Sequence, residues 1–349
     1  MKTKNNIRVG ISIGDINGIG GEITLKAFED SRMLEFCTPV IFASNKVIAF
    51  QKKHFGLEVN YNGVHEASQA VEGKVNIVNI SKNAPKIEFG KETEEAGKYA
   101  FLSLKVAVEA LKNNEVDVLV TAPINKHNIQ SEEFRFPGHT DYLAKELNGE
   151  ALMFMVTEDL KVGLMTDHIA VKDVSENITR NLILKKAAKI HDSLIRDFRI
   201  RKPKIAVLGI NPHSGDNGVI GTEDDTVLKP AVAELFEKGI MAFGPYSADS
   251  FFGSDSYKKF DAVLAAYHDQ GLIPFKTLSF GKGVNYTAGL DKVRTSPDHG
   301  TAYEIAGKGV ADYQSFKEAV FTAIQIYRNR EEYEELTSNP LKKASGNNR

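Results

Sequence analysis

The sequence predicts an α/β protein with much parallel pairing, and three observations carry that expectation. Short apolar runs alternate with amphipathic segments along the chain, the rhythm of strand, helix and strand. Several runs, among them IRVGISIG (7–14), DVLVTAP (117–123), KIAVLGI (204–210) and DAVLAAY (261–267), are almost continuously apolar, as buried strands are. Each empties directly into a glycine-rich or polar loop.

IRVGISIG ends in the loop GDINGIGGE (14–22), and ITLKAFED continues with helical spacing. TPVIFAS (38–44) reads as a strand leading to a helix near NKVIAFQKKHFG (45–56). In ETEEAGKYAFLSLKVAVEALKNNE (92–115), Phe101, Leu104, Val108 and Leu111 recur at three- and four-residue spacing, an amphipathic helix. ALMFMVT (151–157) and KVGLMT (161–166) flank the short polar turn EDL and read as a hairpin. Ser175 is placed to cap the helix ENITRNLILKKAAKIHDSLIRDF (176–198), since a serine side chain satisfies free N–H groups there. The last helix, YQSFKEAVFTAIQIYRNREEYEEL (313–336), precedes a polar tail, 338–349, expected to be disordered. The polar stretch NKHNIQSEE places a domain boundary near 126–136.

At 349 residues the chain has about two domains' worth of length, at roughly 150 residues each. Charged residues make up 26% and hydrophobic ones 42%, a globular balance that excludes global disorder. The 44 basic and 46 acidic side chains leave a net charge of −2, giving no general attraction to nucleic acid or to a membrane surface. The single cysteine, Cys37, excludes an intramolecular disulfide framework and every CxxC motif. No apolar run approaches the ~18 residues of a membrane span, and IRVGISIG runs at once into Asp15 and glycines, unlike a signal peptide. A cytoplasmic protein is expected.

In open α/β sheets ligands collect beyond the carboxyl ends of strands. His168 in MTDHIAV, His213 in GINPHSGDNG and His268 in AAYHDQG each follow an apolar strand by a few residues. Taken singly, each is a hydrogen-bonding loop residue. The recurrence of one context three times points to a divalent-metal site with open positions for substrate. Asp249 and Asp269 are acidic candidates for the same pocket. In FPGHTDYLAKEL (136–147), Thr140 stands where a helix N-cap would be, with Asp141 in the first turn. The free N–H groups of such a terminus suit a phosphate or carboxylate, with His139 and Thr140 adding donors, although a turn serving only the fold would read the same. Lys276, Asn285 and Arg294 form a polar set in a glycine-rich region, Arg suited to bidentate and Lys to point-charge anion contacts. GDINGIGGE has neither the GxGxxG spacing nor a GK[ST], so a nucleotide would bind by another scheme. SPDHGTAYEIAGKG (296–309) is a second candidate nucleotide loop.

GDINGIGGE, VTAPINK, PGHTDYLA, the His168 loop, GINPHSGDNGVIGTEDD, YHDQGLIPFK and VNYTAGLDKVRTSPDHGTAYEIAGKG, in that order from about residue 7 to 330, together resemble the 4-hydroxythreonine-4-phosphate dehydrogenase family of vitamin B6 biosynthesis. The resemblance implies a fold similar to the isocitrate and isopropylmalate dehydrogenases, two α/β domains with a cleft between them. The first would comprise 1–130 plus about 285–337 on the cofactor side, the second 131–284 on the metal and dimer side. It implies a homodimer with the active site at the subunit interface. His168, His213 and His268 match the metal-ligand positions (zinc, magnesium or cobalt), with ligands from both subunits. His139, Thr140, Lys276, Asn285 and Arg294 match the substrate-binding positions. Asp249 and Asp269 match acidic residues near the metal, and they and Lys276 are the candidates for proton transfer. His299, Gly300, Thr301 and Ala302 are similar to the adenine-side loop of the wider dehydrogenase superfamily.

The implied reaction is oxidation of 4-phosphooxy-L-threonine at its C3 hydroxyl by NAD, followed by decarboxylation. The alternatives are a paralogous dehydrogenase of 4-phospho-threonate or 4-phospho-erythronate, or a non-redox acyl-phosphate transferase on a related fold. The chain departs from the family pattern in its first loop, where Ile16 and Gly21 stand at positions usually occupied by proline, which predicts a more flexible loop. Ala170 stands where the family often has proline after the first metal histidine.

Overall fold

A computed structural model describes residues 6–83 and 85–340, so 341–349 of the expected tail lie outside the described residues. The chain opens with β1 (Arg8–Ser12), α1 (Gly20–Ala27), β2 (Thr38–Phe42), α2 (Asn45–Phe55), β3 (Tyr61–Val64), β4 (Val75–Val78), α3 (Glu94–Lys112) and β5 (Val118–Thr121). Next come α4 (His139–Glu146), β6 (Gly149–Val156), β7 (Lys161–Leu164), the one-turn α5 (Val174–Asn177) and α6 (Arg180–Arg196). They are followed by β8 (Lys204–Leu208), α7 (Lys229–Glu237), β9 (Met241–Tyr246), α8 (Ala248–Gly253), β10 (Ala262–Ala265) and α9 (His268–Ser279). β11 (Val284–Leu290), β12 (Val293–Pro297) and α10 (Gln314–Thr337) complete the described elements.

All twelve strands join one sheet in the order β3-β4-β2-β1-β5-β12-β11-β6-β7-β10-β8-β9. Six strands, β3 to β12, run parallel to one another. At the other end β7, β10, β8 and β9 form a second parallel block. Antiparallel β11 and β6 splice the two blocks together, and β6 with β7 is the hairpin read from the sequence. The fold is therefore mixed α/β, with the parallel pairing that the apolar runs imply.

Side chains alternate between the two faces of a strand, and here the faces differ. On one face a single apolar layer runs under the splice, containing Ile11, Val118, Val120, Phe154, Tyr286, Ile205, Val207 and Leu264. On the other face the apolar layer is in two parts. One gathers Val40, Phe42, Leu104 and Leu119 under α3. The other gathers Met153, Met155, Val162, Ala206, Val263 and Phe275 under α9. Between the parts the sheet carries polar residues: Thr121 on β5, Arg294 and Ser296 on β12, and Asn285 and Thr287 on β11. That gap is where a ligand can enter.

Two local expectations change. Thr179, not Ser175, caps α6, its hydroxyl accepting from the Leu182 N–H at 3.2 Å. Ile178 breaks the helical run before it, and Ser175 instead donates to Glu223 Oε1 at 3.0 Å. The first loop is not loosened by its missing prolines. Ile16 and Gly21 are fully buried, and Gln51 Nε2 donates to the Ile16 carbonyl. A Cβ on Gly21 would lie 1.7 Å from Gln51 Oε1, so only glycine leaves room for that side chain. Asp15, also fully buried, accepts from Asn128 Nδ2 at 2.8 Å and from the Tyr303 hydroxyl at 2.7 Å.

A buried ion pair joins α10 to α6 and β11. Arg330 Nε donates to Asp197 Oδ1 at 2.7 Å, and its Nη2 to the Tyr286 hydroxyl at 2.8 Å. The Tyr286 hydroxyl and the Ser193 hydroxyl both donate to Asp197 Oδ2, at 2.6 and 2.7 Å. Burial, and then the Asp197 carboxylate, push the Tyr286 phenol well above its ordinary range. Removing one partner of such a pair leaves the other charge buried and uncompensated, so Asp197→Ala is expected to lower unfolding free energy by about 3–5 kcal/mol in urea titrations.

Candidate anion-binding cleft

The gap in the sheet opens into a cleft of about 270 Å³, lined by Thr121, Lys126, His139, Thr140, Met155, His168, His268, Lys276, Asn285, Arg294, Asp298 and His299, among others. Register explains the convergence. Asn285 pairs with Met155 on one side and Ser296 on the other, so three neighbouring strands present these side chains to one place. α9 contributes at i, i+4 and i+8 through His268, Leu272 and Lys276, positions that share a helix face. Lys276 thus lies within helix α9, and Asn285 lies inside β11.

Arg294 is the chemical centre of the cleft. It is 1% exposed, and among the described residues no carboxylate pairs with it. Its Nε and Nη2 donate to Thr121 Oγ1 at 3.1 and 2.5 Å, and its Nη1 donates to Thr287 Oγ1 at 3.1 Å. Hydroxyls orient the guanidinium but do not neutralise it. Burial pulls its pKa down to about 9, and it remains a cation at neutral pH. A buried charge without a counter-ion is costly, so the guanidinium is chemically suited to pair with an anion.

α4 begins at the mouth of the cleft with Gly138 as its N-cap, so Thr140 lies in the first turn instead of capping it. Gly138 has φ of 178°, an extended approach that brings His139, Thr140 and Asp141 to the lining together. The His139 Nε2, the His299 Nε2 and the Asn285 Oδ1 are buried without hydrogen-bond partners among the described residues. Burial, then the cations of Arg294 and Lys126, hold the His139 imidazole well below its ordinary pKa. Lys126, five residues beyond the end of β5, fell in the boundary stretch and in the VTAPINK motif but was not named as a site candidate. The strand-end rule that singled out the histidines would have found it.

The expected histidine triad divides. His168 and His268 face each other with ring centroids 6.0 Å apart. Asp269 Oδ1 lies 2.7 Å from His268 Nδ1, which fixes the ring and leaves Nε2 free. His213 does not line the cleft; it lies beside Asp249, whose carboxyl is held low first by the Ser247 hydroxyl and, among smaller causes, by that histidine. Among the described residues no three His, Cys, Asp or Glu side chains close on one metal position. Two imidazoles so placed fit a shared cation, which then lacks a third protein ligand from this chain. Asp249 and Asp269 do not line the cleft; His299 and Gly300 do, while Thr301 and Ala302 do not. Thr301 instead accepts the Ile19 N–H through its carbonyl at 3.0 Å.

A parallel-block α/β scaffold with a buried arginine, which no carboxylate among the described residues pairs, and two facing imidazoles has the chemistry of a cleft for a small anion. The family model of the pyridoxal phosphate biosynthetic protein PdxA matches residues 35–323, and the chain belongs to that family. It is 50% identical over 342 residues to a 4-hydroxythreonine-4-phosphate dehydrogenase of Bacteroides thetaiotaomicron, covering 97% of this chain and 94% of that one. It is 33% identical to a putative D-threonate 4-phosphate dehydrogenase of Oceanobacillus iheyensis, over 91% and 97% of the two chains. The crystal structure of 4-hydroxythreonine-4-phosphate dehydrogenase from Klebsiella pneumoniae superposes with a TM-score of 0.81 at 30% identity, covering 94% of this chain and 99% of that one.

The lowered His139 pKa has a stability consequence. Between the folded and unfolded values, the unfolded chain binds the extra proton, so stability rises with pH across that window. It is complete above the ordinary value of about 6.5 and is lost as pH falls toward the folded one. Urea titrations from pH 7.5 to 5 are expected to show this loss, and His139→Asn should flatten it.

Proposed function

We propose that the chain oxidises the C3 hydroxyl of 4-phosphooxy-L-threonine with NAD, giving 2-amino-3-oxo-4-phosphooxybutanoate, NADH and a proton. Loss of carbon dioxide then yields 3-amino-2-oxopropyl phosphate for pyridoxal 5'-phosphate synthesis. The observation that carries this reading is the buried, unneutralised Arg294 beside His139 and the N-terminus of α4, a seat made for a phosphate. The relatives' names supply the rest of the substrate.

In this reading the N–H groups of α4, with His139, Thr140, Lys126 and Arg294, hold the phosphate and fix the distance to the reacting carbon. Asn285, with its free Oδ1, orients the C2 and C3 groups. Lys276 takes the hydroxyl proton, because it shares the α9 face with His268 and lines the cleft. Asp269, hydrogen-bonded to His268, would act through that imidazole, and Asp249 would act beside His213. His299 and Gly300 border the cofactor, the remaining part of the 299–302 loop being held by the first loop. When bound, a divalent cation (zinc, magnesium or cobalt) would supply charge stabilisation at the C3 oxygen, and NAD would supply the two-electron acceptor.

His168 and His268 would hold that cation with His213 of the partner subunit in a homodimer. The segments bearing these histidines expose apolar side chains that one chain leaves uncovered: Val171 at 75%, Val219 at 81% and, on α9, Ile273 at 63%. Such surface beside polar site residues marks an interface. The cleft would divide the chain as the resemblance implies, 1–130 plus about 285–337 against 131–284, in a cytoplasmic enzyme. No described helix is long and apolar enough to cross a membrane.

A D-threonate 4-phosphate activity is the second reading, favoured by the relative that carries that name. It differs by a hydroxyl in place of the C2 amine, and the carboxylates Asp141 and Asp298 in the cleft lining complement the ammonium better. NADH formation with 4-phosphooxy-L-threonine is expected, abolished by a chelator and restored by divalent metal. Turnover of D-threonate 4-phosphate alone would select the second reading, and silence with both would reject the first two. Arg294→Lys loses the planar fork and is expected to raise KM for the phosphorylated substrate about tenfold or more, ~1.4 kcal/mol, with KM for NAD unchanged. His213→Ala is expected to abolish metal-dependent turnover while leaving the dimer intact, as judged by sedimentation.

A further inference from the structure

The loop between β8 and α7 adopts a backbone its sequence alone would not choose. His213, Ser214, Gly215, Asp216 and Asn217 follow one another at φ of 52°, 52°, 81°, 45° and 54°. Four of these five residues carry a Cβ, and such residues enter the left-handed region singly. A run of them persists only where the surroundings over-determine it, and strain of this kind collects at functional sites.

Here the surroundings are a buried carboxylate. Asp224 is fully buried. Its Oδ1 accepts the Ile210 N–H at 2.8 Å, and its Oδ2 accepts the Asn211 N–H and Asn211 Nδ2, both at 3.0 Å. No cation pairs with it among the described residues, so these three donors carry its charge. Gly209 admits the carboxylate, since a Cβ there would stand 2.8 Å from Ser214 Oγ and 3.0 Å from Asp224 Oδ1. The adjacent Glu223 accepts from Asn211 Nδ2 at 2.9 Å and from Ser175 Oγ at 3.0 Å. That second carboxylate ties the His213 loop to the segment that follows His168. The chain thus spends two acidic side chains on a turn whose first residue, His213, is exposed and stands outside its own cleft.

We propose that Asp224 is a positioning residue for His213: by gripping Ile210 and Asn211 it holds the left-handed run that presents the imidazole to the cleft of a second copy of the chain. This rests on the shared metal site of the proposed function. Asp224 reaches neither substrate nor cation; it acts through the backbone that bears the histidine, as the outer partners of metal-binding imidazoles do.

The test is zinc affinity of the purified protein, by competition with a chromophoric chelator, with the visible spectrum of the cobalt(II) form as a second readout. Asp224→Asn is expected to keep the oligomeric mass and helical content, to bind zinc about 10- to 100-fold more weakly, and to shift the cobalt spectrum toward that of His213→Ala. Adding Asp216→Gly to Asp224→Asn should restore part of the affinity, because glycine takes φ of 45° without the Cβ clash. If Asp224→Asn does not fold, Asn211→Ala removes one donor and keeps the two backbone contacts; unchanged zinc affinity there overturns the proposal. Weakened binding in His213→Ala with full affinity in Asp224→Asn overturns it and leaves the metal reading standing. Full affinity in His213→Ala overturns both. Loss in Asp224→Asn that Asp216→Gly does not repair overturns the positioning role in favour of a general structural one.

Discussion

A guanidinium buried without a counter-ion is the constraint around which this cleft is built. Arg294 sits on a central strand with its nitrogens held by the hydroxyls of Thr121 and Thr287, donors' partners that fix direction without cancelling charge. The charge then acts on its surroundings. It helps keep His139 neutral, and it gives the cleft a positive potential suited to an anion. Thr121, Arg294 and Thr287 belong to three adjacent strands, so the guanidinium is seated only when β5, β12 and β11 are in register.

The division of the sheet's second face follows from the same stripe. An apolar layer can be continuous only where alternate residues of successive strands are apolar. Polar residues on β5, β12 and β11 interrupt it, and the helices on that face settle over the two apolar remainders, α3 on one and α9 on the other. The opposite face has no such interruption and keeps the two parallel blocks joined through one core. The cleft is therefore open on one side of a sheet that is closed on the other, and the buried Asp197–Arg330 pair reinforces the closed side.

Much of this was legible in the sequence. Apolar runs such as TPVIFAS and KIAVLGI, whose length and composition admit little besides buried strands, gave the α/β class, and the hairpin at EDL followed from its flanks. The cleft residues His139, Thr140, His168, His268, Lys276, Asn285 and Arg294 were named as candidates and the structure brings them together. What the sequence hid were relations between distant segments. Thr121 orients Arg294 from 173 residues upstream, on the neighbouring strand β5, and Asp224 grips a backbone thirteen and fourteen residues upstream. The missing prolines of the first loop suggested looseness because Gln51, which fills the space, lies 30 residues away along the chain.

The strand order also has a consequence for how the protein comes off the ribosome. β12 lies between β5 and β11 in the middle of the sheet, yet it is synthesised after every other strand. Until it emerges, β5 presents an unpaired apolar edge made of Val118, Leu119 and Val120, the kind of surface that seeks another chain. The insertion of VRTSP heals that edge and delivers Arg294 in the same event. A nascent chain halted before residue 293 therefore leaves β5 unpaired on that side and has an empty position where Arg294 should be, and chaperones that shield sheet edges would meet it there.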